Sequence, residues 1–164
     1  MELAGLDFER WYARERDALV RAVTVTCGDL ALAEDVVAEA FSRAYERWGR
    51  VQAMGSPTGW VYRVAVNLLR RRWRRAAVER RLLFRSRPAV SAEMADVFPE
   101  LWRAIQALPP RQREAVALRY VADLTERQVA EAMSVAEGTA SATLAAARRQ
   151  LAANLEHLEE SRWT

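Results

Sequence analysis

The stretch TERQVAEAMSVAEGTASATLAAARRQL, residues 125–151, carries the signals of two helices joined by a tight turn. Thr125 is followed three residues later by Gln128, a capping-box pattern that opens a helix over ERQVAEAM. The segment SVAEG contains a glycine and predicts the turn, and Thr139 is the expected N-cap of the second helix. This order makes a helix-turn-helix pattern, which is used for DNA recognition in some proteins and for plain helical packing in others.

The second helix of this pair has one apolar face and a weakly charged opposite face. The apolar positions recur at three- and four-residue spacing and predict an inward face: Leu144, Ala147, Leu151 and Leu155. The first ten residues, 137–146, carry no positive charge and only three hydroxyl groups. This helix is therefore poorly equipped to hold DNA phosphates.

The remainder of the chain also follows helical periodicity, and no segment alternates as a strand does. Upstream, PELWRAIQALPP predicts a short amphipathic helix, and PRQREAVALRYVADL a helix with Pro110 in its first turn. The N-terminal half predicts a helix through Phe8 to Thr26, a second from a cap at Asp29 to Gly49, and a third from Trp60 to about Arg81. Residues 78–98 lose the periodicity and contain Pro88. We predict an all-α fold with domains at 1–77 and 99–157, a linker at 78–98 and a tail at 158–164.

The composition excludes several functional classes. The chain of 164 residues holds one cysteine and one histidine, which removes disulfide frameworks, zinc clusters and Cys/His nucleophile arrangements. Because a glycine-rich phosphate loop is also lacking, no coherent catalytic constellation remains, and neither a metal nor a cofactor is predicted. No apolar run is long enough to span a membrane, and MELAGLDFERW is not a signal peptide. We expect a cytoplasmic, non-enzymatic protein.

Charge is concentrated in the middle of the chain. Residues 51–90 hold ten arginines and one acid, a net charge of +9, while the segments on either side are each net −3. Such a block is typical of a surface that binds nucleic acid or anionic lipid. Arginine can clamp a phosphate and asparagine can contact a base edge, and these types recur on one side of the third helix: Arg63, Asn67, Arg70, Arg71 and Arg74. A membrane-surface helix would leave the helix-turn-helix pattern unexplained.

Three blocks, in this order and spacing, resemble the extracytoplasmic-function (ECF) sigma factors of the sigma-70 family. AEDVVAEAFSRAYERW (33–48) is similar to their polymerase-binding helix, and GWVYRVAVNLLRRRWRR (59–75) to their −10 element helix. LPPRQREAVALRYVADLTERQVAEAMSVAEGT (108–139) is similar to their second domain. The resemblance implies a transcription initiation factor that binds core RNA polymerase, through the β′ clamp coiled coil and the β flap, and promoter DNA. An anti-sigma protein is also implied by the family, and we expect a monomer in the free state.

The resemblance also assigns residues. On the outward face of the second helix, Asp35 and Glu39 become ion-pair partners for the clamp, with Arg43 beside them, whereas the usual glutamine falls at Ala38. In the basic block, the loop at Met54–Ser56 and the tryptophan after it are implied to hold a base that leaves the stack. The implied −10 residues are Trp60, Arg63, Asn67, Arg70, Arg71 and Arg74.

The implied −35 residues are Thr139, Ser141, Thr143, Arg148 and Arg149. At the positions where the family normally has a lysine and two arginines, this chain has Ser141, Thr143 and Ala146. Two hypotheses stay open: the helix reads the −35 element weakly, or the second domain has stopped reading DNA and serves polymerase or a regulator. A helix-turn-helix regulator that works without polymerase is a further alternative, but it needs a dimer to place two recognition helices.

Overall fold

The computed structural model describes residues 2–82 and 98–160, and within these ranges it consists of helices and turns without a β-strand. The first unit contains α1 (Glu2–Cys27), α2 (Leu30–Glu46), α3 (Trp48–Val51) and α4 (Pro57–Leu82). The second unit contains α5 (Pro99–Gln106), α6 (Pro110–Val116) with its π-helical continuation (Ala117–Val121), α7 (Glu126–Met133) and α8 (Glu137–Glu160). The predicted all-α fold class is confirmed.

Local signals set several helix ends as predicted. Gly28 has a φ of 78°, a conformation that glycine adopts without steric cost, and it ends α1. The Asp29 carboxylate accepts a hydrogen bond of 3.0 Å from the backbone N–H of Leu32 and caps α2. Thr125 and Gln128 form both hydrogen bonds of the capping box at the start of α7.

Other predicted helix ends are wrong by a few residues. Helix α2 ends at Glu46, and Gly49 lies inside the short α3. Helix α4 begins at Pro57 rather than Trp60, because the Ser56 hydroxyl accepts a 3.0 Å hydrogen bond from the N–H of Gly59 and caps the helix earlier. Helix α4 continues to Leu82, and residues 83–97 of the predicted linker lie outside the described residues.

The predicted N-cap of the last helix is also wrong. Helix α8 begins at Glu137, so Thr139 lies within its first turn, and the Thr139 N–H donates to the carbonyl of Ala136 at 2.9 Å. Glu137 suits this position because a carboxylate is stabilised at the positive end of the helix dipole. The helix accommodates Gly138, which has open space around it.

The core of the first unit lies between α1, α2 and α4. Aromatic side chains close one end, where the ring centroids of Trp11 and Trp48 are 4.7 Å apart and those of Trp11 and Phe41 are 5.2 Å apart. Tyr45 of α2 is 60% exposed, and its ring contacts that of Phe8 in an edge-on arrangement with the centroids 5.0 Å apart. This packing directs the remaining polar face of α2 outward.

The helix-turn-helix is present in the second unit. Leu144 and Ala147 are fully buried, and Leu151 and Leu155 are half-buried, so the apolar face of α8 packs inward as predicted. Burial of leucines at this spacing fixes the rotation of α8 about its axis.

The two units share one hydrophobic core. Leu19 of α1 and Leu118, from the segment that follows α6, belong to the same cluster of buried side chains. The amide nitrogen of Gln106, at the end of α5, donates to the carbonyl of Val25 at 3.0 Å. The second unit therefore packs directly on α1 and α4.

Candidate protein and nucleic-acid interfaces

An acidic face on α2, made of Asp35, Glu39 and Arg43, is held by ion pairs to its own helix and to α4. Arg43 lies 2.7 Å from Glu39. Arg72 of α4 reaches both carboxylates, at 3.1 Å from Asp35 and 3.6 Å from Glu39. Because exposed ion pairs contribute about 0–1 kcal/mol each, a basic partner can replace them at little cost.

A basic face runs along α4, and its predicted members are exposed: Arg63, Asn67, Arg70, Arg71 and Arg74. They divide into two groups. Arg63, Asn67 and Arg70 lie beside the second unit and line a cavity of about 190 Å³ with residues of α6 and α7. Arg71 and Arg74 point to solvent and form no ion pair within residues 7–76 and 98–157. Among these five residues, Arg70 alone forms an ion pair with another described residue, at 3.6 Å from Glu114 of α6.

The loop before α4 forms a pocket of about 370 Å³. Its walls from the first unit are Met54, Gly55, Ser56, Gly59, Trp60 and Arg63. Trp60 is half-buried and packs partly against the core, so one part of the ring supports the fold while the other lines the pocket. The second unit supplies the opposite wall with Glu131, Ala132 and Ser134.

The outward side of α8 has fewer free polar groups than its sequence suggests. The Ser141 hydroxyl donates to the carboxylate of Glu126 on α7. The Thr143 hydroxyl donates to the carbonyl of Thr139 at 2.7 Å, within the same helix. Both hydroxyls are therefore engaged, while the Thr139 side chain is exposed.

The two arginines of α8 are exposed, and one of them is oriented by an aromatic residue. Arg148 donates to the Tyr120 hydroxyl at 3.1 Å, and this hydrogen bond raises the pKa of Arg148 above its ordinary value. Tyr120 is 54% exposed. Arg149 lies next to this pair and is also exposed.

A shallow groove of about 550 Å³ runs along the start of α8. Its α8 side consists of small residues, namely Gly138, Thr139, Ala142, Thr143 and Ala146. Its opposite side comes from α6 and includes Arg111. Arg111 of α6 therefore provides a positive charge beside the part of α8 that has none of its own.

Two other features bear on the class of site. No helix among the described residues is long and apolar enough to cross a membrane. The described histidine, cysteine and acidic side chains include no group that could hold a metal ion.

Comparison with known proteins matches both units to the same family. The sigma-70 region 2 model matches residues 11–79, and the sigma-70 region 4 model matches residues 99–151. The chain is a sigma factor of the sigma-70 family. It belongs to the ECF group and directs promoter-specific transcription by RNA polymerase.

Curated relatives of this sigma factor align with most of its length. The RNA polymerase sigma-E factor of Streptomyces antibioticus is 29% identical over 154 residues, covering 92% of this chain and 86% of that protein. The ECF RNA polymerase sigma factor SigM of Mycobacterium tuberculosis is 27% identical over 163 residues, covering 92% and 78%.

Solved structures share the fold of this sigma factor. The sigma factor RpoE of Bartonella quintana, in a complex with the anti-sigma factor NepR, has a TM-score of 0.75 at 19% identity and covers 92% of this chain and 97% of that one. CnrH, in a complex with the cytosolic domain of CnrY, has a TM-score of 0.64 at 23% identity, with coverage of 92% and 88%.

Sequence reasoning missed four residues at these surfaces of the sigma factor: Arg72, Arg111, Glu114 and Tyr120. Arg72 had a usable signal, since it follows the buried Leu68 and Leu69 by four and three residues and so lies on the side of α4 toward α2. Nothing in the sequence pointed to Glu114, because its 3.6 Å ion pair with Arg70 depends on how the two units meet.

Proposed function

We propose that the acidic face of α2 binds the β′ clamp coiled coil of core RNA polymerase. Support comes from its exposed carboxylates, which pair with Arg43 and Arg72 among the described residues. Basic side chains on the clamp would take the place of Arg72. Since the exchanged pairs are solvent-exposed, the exchange costs little.

The basic face of α4, with the pocket before it, binds the −10 element. The observation that carries this assignment is the juxtaposition of exposed arginines with a pocket of about 370 Å³ bordered by Trp60. Arginines hold the backbone through counterion release, Asn67 contacts a base edge, and the pocket receives a base that leaves the stack. Arg71 and Arg74, which are exposed in the free protein, supply phosphate contacts.

Helix α8 reads the −35 element weakly. Its engaged hydroxyls, Ser141 and Thr143, offer little to bases, whereas Thr139, Arg148 and Arg149 stay on the surface. The small side chains of the groove allow close approach, and alanine or threonine methyl groups can contact thymine methyls. Arg111, across the groove, adds a positive charge beside them.

The other partners follow from this role. The second unit contacts the β flap of polymerase, the protein acts in the cytoplasm as a monomer before it joins polymerase, and an anti-sigma protein regulates it. The anti-sigma proposal is supported by the similar sigma factor RpoE, which was solved with the anti-sigma factor NepR.

Run-off transcription tests the whole proposal. Purified chain and core polymerase should yield discrete transcripts from a pool of genomic fragments, and core polymerase alone should yield none. The matched variant Arg71→Ala with Arg74→Ala should lose those transcripts at moderate salt while still co-purifying with polymerase. Failure of the wild-type chain to produce any discrete transcript would refute the proposed function.

A further inference from the structure

The groove along the start of α8 is open because the α8 side chains that line it are short. Ala142 and Ala146 both border this groove, which has a volume of about 550 Å³. Ala146 is one of the positions where the family normally has a basic residue. Since an alanine side chain is a single methyl group, the space that a longer side chain would fill remains free for a side chain from another helix.

Arg111 of α6 borders this space from the opposite side. Its side chain is 59% exposed, and one of its N–H groups donates to the carboxylate of Glu114 at 3.3 Å, one helical turn along. A guanidinium carries five N–H donors in a rigid plane. The hydrogen bond to Glu114 therefore orients Arg111 and leaves donors for a ligand in the groove.

The next residue supplies an acceptor at the same place. Gln112 also lines the groove, and its side-chain oxygen Oε1 is buried without a hydrogen-bond partner among the described residues. Buried polar atoms are almost always paired, so this oxygen indicates a ligand that donates a hydrogen bond. Because Gln112 borders the groove, such a ligand would enter there.

A donor and an acceptor side by side match a base edge better than a phosphate. Phosphate oxygens only accept hydrogen bonds and would leave the Gln112 oxygen unpaired. In the major groove a G·C pair presents two acceptors, N7 and O6 of guanine, and one donor, the N4 amino group of cytosine. The first turns of a recognition helix are the part that meets base edges, and the groove runs along these turns of α8.

We propose that Arg111 and Gln112 of α6 determine the −35 specificity of this sigma factor by contacting one G·C pair in the major groove. Arg111 donates to N7 and O6 of the guanine, and Gln112 accepts from the N4 amino group of the cytosine. A helix beside α8 thus makes the base contacts that the short side chains of α8 do not. This inference rests on the proposed function, because it takes α8 to lie on the −35 element.

Base preference at the −35 element is the first test. On a promoter found by run-off transcription, each −35 base pair is changed in turn, and the wild-type holoenzyme should prefer G·C at one position by about tenfold, within the range of a bidentate arginine–guanine contact. Arg111→Ala should lose this preference and keep the others. The control is Arg103→Ala, which removes an exposed arginine of α5 that does not border the groove, and it should behave as wild type.

Two outcomes of this scan contradict the inference. One is a G·C preference that Arg111→Ala leaves intact. The other is a uniform loss of binding to every −35 sequence, together with a fall of about 0.9 in the slope of log affinity against log salt, since that pattern belongs to a phosphate contact.

Base analogues at the preferred position test the individual hydrogen bonds. Replacing guanine by 7-deazaguanine removes the N7 acceptor and should lower transcription by wild type but not by Arg111→Ala. N4-methylcytosine blocks the amino donor and should lower transcription by wild type but not by Gln112→Leu. Because Gln112→Leu removes a buried unpaired oxygen, it should not lower the free energy of unfolding. Equal losses in wild type and in the matching variant overturn the inference.

The scan also separates failure of this inference from failure of the proposed function. A wild-type holoenzyme that yields no transcripts refutes the proposed function, and one that transcribes but is indifferent to the −35 sequence refutes the −35 reading together with this inference. A wild-type preference that survives both Arg111→Ala and Gln112→Leu refutes the inference alone.

Discussion

Neighbouring arginines on α4 should contribute very differently to DNA binding. Arg71 and Arg74 are exposed and form no ion pair among the described residues, whereas Arg72 is held at 3.1 Å from Asp35 and 3.6 Å from Glu39. We therefore expect Arg71→Ala with Arg74→Ala to remove two phosphate contacts. The single change Arg72→Ala, on the same helix and one residue away, should remove none, because Arg72 lies on the side of α4 that faces α2, whether or not the clamp takes its carboxylate partners.

The magnitude follows from counterion release. Each phosphate contact contributes about 0.9 to the slope of log affinity against log salt, so the double variant should lower the slope by about 1.8. When salt rises fourfold, from about 50 to about 200 mM, the affinity of the double variant should fall roughly tenfold less than the affinity of wild type.

Fluorescence anisotropy of the holoenzyme on a labelled promoter fragment, repeated across salt concentrations, measures the slope directly. The Arg72→Ala holoenzyme serves as the charge-matched control for one arginine. An unchanged slope for the double variant would show that Arg71 and Arg74 do not touch DNA. If Arg72→Ala lowers the slope by as much as the double variant does per arginine removed, overall charge and not position decides binding.

Three further outcomes are expected. Asp35→Arg with Glu39→Arg should abolish co-purification with core polymerase while the far-ultraviolet circular dichroism stays unchanged. Retained co-purification would show that the acidic face does not bind polymerase. Scrambling the −35 sequence should lower transcription by wild type and much less by Arg148→Ala with Arg149→Ala; if wild type is indifferent to scrambling, α8 does not read DNA. Burial raises the pKa of Tyr62 far above its ordinary value of 10.0, so above about pH 10 the unfolded state loses this proton first and stability should fall by up to about 1.4 kcal/mol per pH unit. Urea titrations across that range should show a shallower fall for Tyr62→Phe, and an identical fall would exclude Tyr62 as the group responsible.

Local signals allowed much of the fold to be predicted. The capping box at Thr125 and the cap at Asp29 involve groups three residues apart, so the sequence contains both partners of each hydrogen bond. The leucine spacing on α8 likewise predicted which face is buried. The errors at Thr139 and Trp60 have the same origin, because Gly138 and Gly59 resemble breakers in sequence but are helical: α8 already begins at Glu137, and Ser56 caps α4 before Gly59.

The candidate surfaces were predicted less completely. The +9 block predicted that α4 is a polyanion-binding helix, and the three- and four-residue spacing placed its arginines on one side. Spacing did not show that Ser141 donates to Glu126 on another helix or that Tyr120 orients Arg148. These contacts join residues from different helices, whose relative rotation depends on the packing of the core.

The sequence by itself determined the helices, the helix-turn-helix and the position of the positive charge, because each depends on residues within a few turns of one another. It indicated the family through three such blocks in a fixed order. The tertiary structure alone decided which charges are free. Arg70, Arg71 and Arg72 are adjacent in sequence, yet one faces Glu114 of the second unit, one faces solvent and one faces the acidic face of α2. Successive residues of an α-helix point about 100° apart, so their partners are set by which helices surround α4, and those helices are placed by burial of the shared core.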